Sequence, residues 1–135
     1  MDKKNRDLSL SFLINAGGRY KFDRARIRKA VRELLKSKGV NGRVSLSLAV
    51  VGDRKMKEVC KKHLGEEKTT DVLAFSQLEG DSGRSLDEDE LSLGEVVVSY
   101  PQAKKQAMEF YKLLDEEMEF LVCHGVLHLL GVHHD

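Results

Sequence analysis

Several features that define whole classes of protein are missing from this chain. It has two cysteines, Cys60 and Cys123, and one proline in 135 residues. Two cysteines cannot build a disulfide framework, and without a signal-peptide pattern we expect the protein in the reducing cytoplasm. No apolar run is long enough to cross a bilayer, and there is no internal repeat. We therefore expect a single globular domain over residues 1–135, long enough to bury a sizeable core.

The near-neutral net charge of +1 hides a strong asymmetry along the chain. Residues 1–65 hold 18 Lys and Arg against 6 Asp and Glu, a balance of +12, and residues 66–135 hold 5 against 16, a balance of −11. If the fold keeps the halves apart, one basic surface can attract a polyanion. If the fold interleaves the basic and acidic halves, the charged side chains only keep two ordinary surfaces hydrated. Both interpretations stay open at this point.

Hydrophobic periodicity predicts alternating strands and helices along the chain. The predicted strands cover residues 8–14, 44–51, 71–77 and 93–99. Helices are predicted after the capping residues Asp23 and Asp53, from Pro101, and over residues 115–130. The helix from Pro101 should bury an inner stripe of Ala103, Ala107, Phe110, Tyr111 and Leu114. Residues 79–90, rich in Gly, Ser and acidic side chains, predict a mobile loop.

This order of elements predicts an α+β fold. We expect a mixed sheet of about four strands packed by helices, in one domain whose C-terminal helix carries a metal motif. The helix after Asp23 has arginines and a lysine mostly off its apolar stripe: Arg24, Arg26, Arg28, Lys29 and Arg32. Such a face is either an ordinary solvated surface or a place where phosphates dock.

Four of the five histidines lie in the last dozen residues. His124 and His128, at positions i and i+4, share one helical face with Cβ atoms about 5–6 Å apart, so two imidazoles can hold one ion. Gly131 is expected to end the helix in the left-handed conformation. His134 follows within the roughly 10 Å that three extended residues span, so it can return as a third ligand. His133 should point away from it, as a surface residue or a neighbour of the ligands.

Three imidazoles with one open position are typical of a catalytic zinc site, whereas structural sites are closed by four protein ligands. The alternative is that these histidines are ordinary surface or core residues. Cys60 and His63 also have metal-like spacing, but a core cysteine beside a surface histidine explains that pair.

Gly125 occupies the position at which zinc peptidases of the H-E-x-x-H type carry their general base. Because a glycine has no side chain, the ion itself must activate water and polarise a phosphoryl oxygen, or a base must come from elsewhere. Asp71 and Glu95, at strand ends, are the candidates. The alternative for Asp71 is that it caps a turn beside Thr69 and Thr70.

Three motifs resemble the YbeY family of bacterial metal-dependent endoribonucleases. Residues 124–134 are similar to H-G-x-L-H-L-x-G-x-D-H, residues 70–75 to T-D-V-L-S-F, and residues 93–98 to L-G-D-I-x-I. The similarity runs from about Val44 to the C-terminus. The triple-histidine pattern is the specific part, because either strand motif alone is a weak signal.

The resemblance implies a single-strand-preferring endoribonuclease that matures the small-subunit 3′ end of ribosomal RNA, hydrolysing phosphodiester bonds with a zinc-bound water. It implies one Zn²⁺ per chain, with His124, His128 and His134 as metal ligands and catalytic residues. The implied partners are ribosomal RNA and the small ribosomal subunit, with no membrane and no nucleotide cofactor. The alternatives are a non-catalytic ribosome-associated RNA-binding factor with a structural zinc and, ranked after it, a zinc peptidase.

The chain departs from the family pattern at three places. His133 stands where the family usually has Asp, which removes an acidic neighbour of the metal. Leu64 stands where the family usually has a functionally important Arg, which puts the stabilisation of transition-state charge in question. The sequence also stops at Asp135, whereas relatives usually carry a further C-terminal segment.

Overall fold

The computed structural model describes residues 7–66, 68–76 and 90–134, and the side chains of residues 132–134 lie outside that description. Eight elements follow one another: β1 (Leu8–Ala16), α1 (Arg24–Ser37), β2 (Gly42–Val51), α2 (Asp53–Leu64), β3 (Val72–Ser76), β4 (Glu90–Ser99), α3 (Tyr100–Glu109) and α4 (Leu114–His134). Their order is the one that the hydrophobic periodicity predicts.

The four strands form one mixed sheet in the order β1-β2-β4-β3. β1, β2 and β4 run parallel, and β3 pairs antiparallel with β4 at one edge. These elements confirm the predicted α+β fold with a four-stranded mixed sheet. The order also places β1 and β3 at opposite edges of the sheet.

Alternating apolar residues give each face of the sheet its own core. On one face, strand residues such as Leu46 and Val96 pack with side chains of α1 and α4 in the larger cluster. On the other face, Met56 and Cys60 of α2 pack with Val97 in a smaller cluster. The protein therefore has three layers, with α1 and α4 on one side of the sheet and α2 on the other.

Two of the predicted helix starts differ in how they are capped. Asp23 caps α1 as predicted, since its carboxylate accepts a hydrogen bond from the Arg26 N–H at 3.0 Å. Asp53 does not cap α2, because Gly52 holds the cap position and Asp53 is the first helical residue. The Asp53 Oδ1 atom instead accepts three longer-range hydrogen bonds of 3.2–3.4 Å, from Thr69, Ser99 and Gln102. It joins α2 to the segment before β3 and to α3.

The inner stripe predicted for α3 is wrong at Phe110 and Tyr111, whereas Leu114, which begins α4, does pack against the core. Pro101 lies in the first turn, and Ala103 and Ala107 are buried. The helix ends at Glu109, so Phe110 and Tyr111 are 61% and 97% exposed instead of packed inward. Tyr111 has a positive φ of 55°, a conformation that a helix cannot continue through.

β4 begins at Glu90, three residues before the predicted start, and its pairing with β2 shifts register at Ser45 and Leu46. Gly94 follows that shift with φ +134°, and a Cβ there would collide with the Phe75 carbonyl oxygen.

The loop predicted over residues 79–90 lies outside the described residues, apart from Glu90. No helix in the described part of the chain is both long and apolar enough to cross a membrane.

Candidate active site

A cleft of about 360 Å³ opens at the β3 edge of the sheet. Its walls are residues 71–75, Leu64 at the end of α2, and His124, Gly125 and His128 of α4. The cleft therefore brings together residues from two of the three motifs, 70–75 and 124–134, and none from 93–98. The edge position matters because no further strand covers β3 within the described sheet.

Gly125 sets how closely α4 approaches the sheet. A Cβ at this position would lie 2.7 Å from Val96 Cγ1 and 3.0 Å from Val96 Cγ2, closer than real Cβ atoms pack. Val96 is fully buried in β4, so its methyl groups have little room to move. A glutamate could not occupy this position without displacing the helix, which argues sterically against chemistry of the H-E-x-x-H type.

His124 and His128 both line the cleft and are exposed on α4, as the i,i+4 spacing predicts. The His124 ring stacks on Phe120, with ring centroids 6.1 Å apart and an interplanar angle of 23°. Phe120 is one turn earlier on the same face of the helix and was not anticipated from the sequence. The motif spacing was sufficient to find the two histidines because a helical face is a local property.

The helix does not stop at Gly131 as predicted. α4 continues to His134, and Gly131 is not among the glycines with positive φ. Leu129 and Leu130 just before it are buried, and a glycine in a helix costs only about 1 kcal/mol relative to alanine, so the helix can persist.

The side chains of His133 and His134 lie outside the described residues. Among those described, no group of three His, Cys, Asp or Glu is placed to hold a metal, and the three-histidine site stays a prediction.

Asp71 lies in the cleft and is held by three hydrogen bonds. Its Oδ1 accepts from the Val72 N–H at 2.8 Å and from the Thr70 hydroxyl at 3.4 Å, and its Oδ2 accepts from Gln106 Nε2 at 3.1 Å. Two of these bonds are local, which favours the turn-capping interpretation, and Asp71 also lines the cleft. Gln106 comes from α3, 35 residues away, and no sequence pattern links it to Asp71.

Glu95 is not part of this cleft, so its candidacy as the base is wrong. In β4 it pairs with Ser47 and Phe75, and its Oε2 accepts from the Ser47 hydroxyl at 3.4 Å. Phe75 and the neighbouring Val97 belong to the smaller core under α2. Because side chains alternate across a strand, Glu95 lies on that face, opposite α4.

The arginine face of α1 lies away from the cleft. α1 packs against α4 and against β1, which is the edge of the sheet opposite to β3, and no α1 residue lines the cleft. Arg26 Nε binds the Glu119 carboxylate at 2.9 Å, and this hydrogen bond raises the pKa of Arg26 above its ordinary value. Arg28 donates to the Phe12 backbone carbonyl. Two of the arginines proposed for phosphates are therefore occupied within the protein.

Neither cysteine is placed as a metal ligand. Cys60 is fully buried in the smaller core, and His63 is an exposed residue whose ring lies 4.6 Å from that of Phe75, as the sequence interpretation of this pair predicts. Cys123 precedes His124, and burial, followed by the nearby Glu119 carboxylate, raises its pKa to about 11. Within the described residues, Cys123 belongs to no group of three His, Cys, Asp or Glu that could hold a metal.

Comparisons with known proteins identify the family to which the chain belongs. The profile of a family described as Endoribonuclease YbeY matches residues 14–135. Curated proteins of that name from Symbiobacterium thermophilum and Pelotomaculum thermopropionicum are each 39% identical, over 97 and 106 residues. These matches cover 71% and 78% of this chain, and 62% and 69% of the relatives. The chain thus spans less than two thirds of the first relative's length.

A third relative with that name, from Clostridioides difficile, is 34% identical over 110 residues, which cover 82% of this chain and 71% of that protein. The fold is similar to the solution structure of TM1509 from Thermotoga maritima, with a TM-score of 0.58 and 24% identity. That likeness covers 88% of this chain and 71% of the other, and it concerns the fold alone.

Proposed function

Because the chain belongs to the YbeY family, we propose that it is a metal-dependent endoribonuclease of ribosomal RNA maturation. We infer that it acts in the cytoplasm on single-stranded RNA near the small-subunit 3′ end. The observation that carries the proposal is the open cleft at the β3 edge, where two exposed imidazoles of the family motif lie beside a fixed carboxylate.

The described donors fit a zinc ion. Two neutral imidazoles one helical turn apart are zinc ligands by type and spacing, and His134 is the third ligand that we propose. For His134 to reach the ion, the chain would leave the helix after Gly131, where no atom lies within 4 Å of an added Cβ. When bound, zinc would polarise a phosphoryl oxygen and make water a better nucleophile near neutral pH.

The protein's own residues supply the remaining functions. Asp71 carries the only carboxylate among the described residues that line the cleft. We propose that it accepts a proton from the attacking water or from a ribose 2′-hydroxyl. Gln106 is a positioning residue, since its amide donates to the Asp71 oxygen that is not engaged by Val72. The α4 residues described in the cleft lining, His124, Gly125 and His128, offer no carboxylate that could take this role.

The experiment combines elemental analysis with RNA cleavage. Wild type should contain one zinc per chain and cut single-stranded RNA, and His124→Ala should lose both properties. His63→Ala is the matched control, because it removes an exposed histidine that is not on α4. Cleavage by His124→Ala at the wild-type rate would refute the assignment. Equal cleavage of DNA of the same sequence would exclude attack by the 2′-hydroxyl.

Two other outcomes would identify the alternative functions. RNA binding that survives His128→Ala in a folded protein, with no cleavage by wild type, would indicate a non-catalytic ribosome-associated factor. Chelator-sensitive hydrolysis of a peptide substrate would indicate a peptidase, against the steric limit that Val96 places on Gly125.

A further inference from the structure

α2 carries a continuous row of side chains that ends in the cleft. Arg54, Lys57, Lys61 and Leu64 are spaced three, four and three residues apart, so at 3.6 residues per turn they lie within about 80° of one another. We call this row the α2 stripe. Its three basic members and Glu58 line a shallow groove of about 550 Å³. Leu64 lines the cleft with His124 and His128.

The α2 stripe is positively charged, and two of its cations form no ion pair with any residue that the structure describes. α2 holds five Lys and Arg against Asp53 and Glu58. Asp53 accepts hydrogen bonds from other segments, and Glu58 is paired with Lys55 at 3.8 Å. Within the described residues, Arg54 and Lys57 are exposed and neither forms an ion pair.

The basic face of α1 is the alternative surface for binding RNA, but α1 lies at a different place from α2 relative to the cleft. Arg26 and Arg28 are bonded inside the protein, and the helix packs on the β1 side of the sheet. No residue of α1 lines the cleft that holds His124 and His128, whereas Leu64 of α2 does. By contrast, the distance along α2 from Arg54 to Leu64 is only about 15 Å, at 1.5 Å per residue.

We propose that the α2 stripe holds the phosphate backbone of a single-stranded RNA and leads it into the cleft. Arg54 and Lys57 bind phosphates, and the strand passes Leu64 to reach His124. About 15 Å corresponds to roughly four nucleotides at a stacked spacing of 3.4 Å per nucleotide. This inference rests on the proposed function, because RNA is its ligand, and it specifies which surface the RNA follows.

The test compares two double variants that remove the same charge. Arg54→Ala/Lys57→Ala changes the α2 stripe, and Lys29→Ala/Arg32→Ala changes exposed positions of α1. Both are made in a His124→Ala background, so that cleavage does not consume the probe, a fluorescent single-stranded RNA of 12 nucleotides. Binding is measured by anisotropy between 50 and 300 mM salt, and circular dichroism checks that each variant is folded.

Loss of two phosphate contacts should lower the slope of log K against log salt by about 1.4, at roughly 0.7 per contact for a single strand. The same relation gives about tenfold weaker binding at 0.15 M salt for the α2 variant. The α1 variant should bind as the His124→Ala parent does.

Equal losses in the two variants would show that only net charge matters, and a larger loss in the α1 variant would place the RNA on the other side of the sheet. Either result overturns the proposal. Failure of the proposed nuclease function is a separate outcome. A wild-type protein that binds RNA through the α2 stripe without cutting it would refute the endoribonuclease activity but support the α2 stripe as the RNA-binding surface. Absence of any RNA binding contradicts both.

Discussion

Replacing Gly125 with alanine should destabilise the protein, although alanine is the better helix former. The new Cβ would lie 2.7 Å from Val96 Cγ1. Overpacking in a core costs about 1–3 kcal/mol, and a contact this short belongs at the upper end. Alanine contributes up to about 1 kcal/mol in helix propensity. We therefore expect a net loss of about 2 kcal/mol in the free energy of unfolding.

Gly131 provides the matched control in the same helix. No atom lies within 4 Å of a Cβ built on it, and its φ is not positive, so alanine meets no obstacle there. Gly131→Ala should stabilise the metal-free protein by up to about 1 kcal/mol. The two glycine variants should then differ by about 3 kcal/mol, well above the error of a urea titration followed by helical circular dichroism.

A second substitution identifies the cause of the loss. Val96→Ala removes both methyl groups that the new Cβ would meet, so Gly125→Ala should become neutral or stabilising in that background. If Gly125→Ala costs the same with and without Val96, the close approach of α4 to β4 is not its cause. A Gly125→Ala protein as stable as wild type would refute the steric argument directly. Any lift of α4 should also displace His124 and lower cleavage.

Three further predictions concern the cleft and its surroundings. If the chain must turn left-handed at Gly131 to complete the metal site, Gly131→Ala should weaken zinc binding about 5- to 30-fold, from a penalty of about 1–2 kcal/mol, in a competition titration with a chromophoric chelator. Leu64→Arg adds a cation where the α2 stripe enters the cleft and should raise kcat/KM on RNA about tenfold, whereas Leu64→Met should not. Lys112→Met leaves the buried Glu117 carboxylate without its partner at 2.7 Å and should cost about 2 kcal/mol in urea unfolding. The exposed Lys105→Met should change stability by less than about 0.5 kcal/mol.

Local patterns predicted the elements well because helix and strand periodicities repeat within a few residues. The order of the eight elements, the cap at Asp23 and the shared face of His124 and His128 all follow from such spacing. The errors arose where one residue type suits two conformations. Glycine is common just after a helix, but it can also lie within one, as Gly131 does in α4. Tyr111 continues the apolar spacing of α3 in the sequence, although the helix ends at Glu109.

The sequence by itself determined the α+β class, the family, and the two histidines that share a helical face. Only the tertiary structure decided that they lie beside Asp71, that Gln106 holds that carboxylate, and that α2 rather than α1 reaches the cleft. The physical reason is that these relations join residues far apart in the chain. They depend on strand order, register and the close packing of Gly125 on Val96, none of which periodicity along one element encodes.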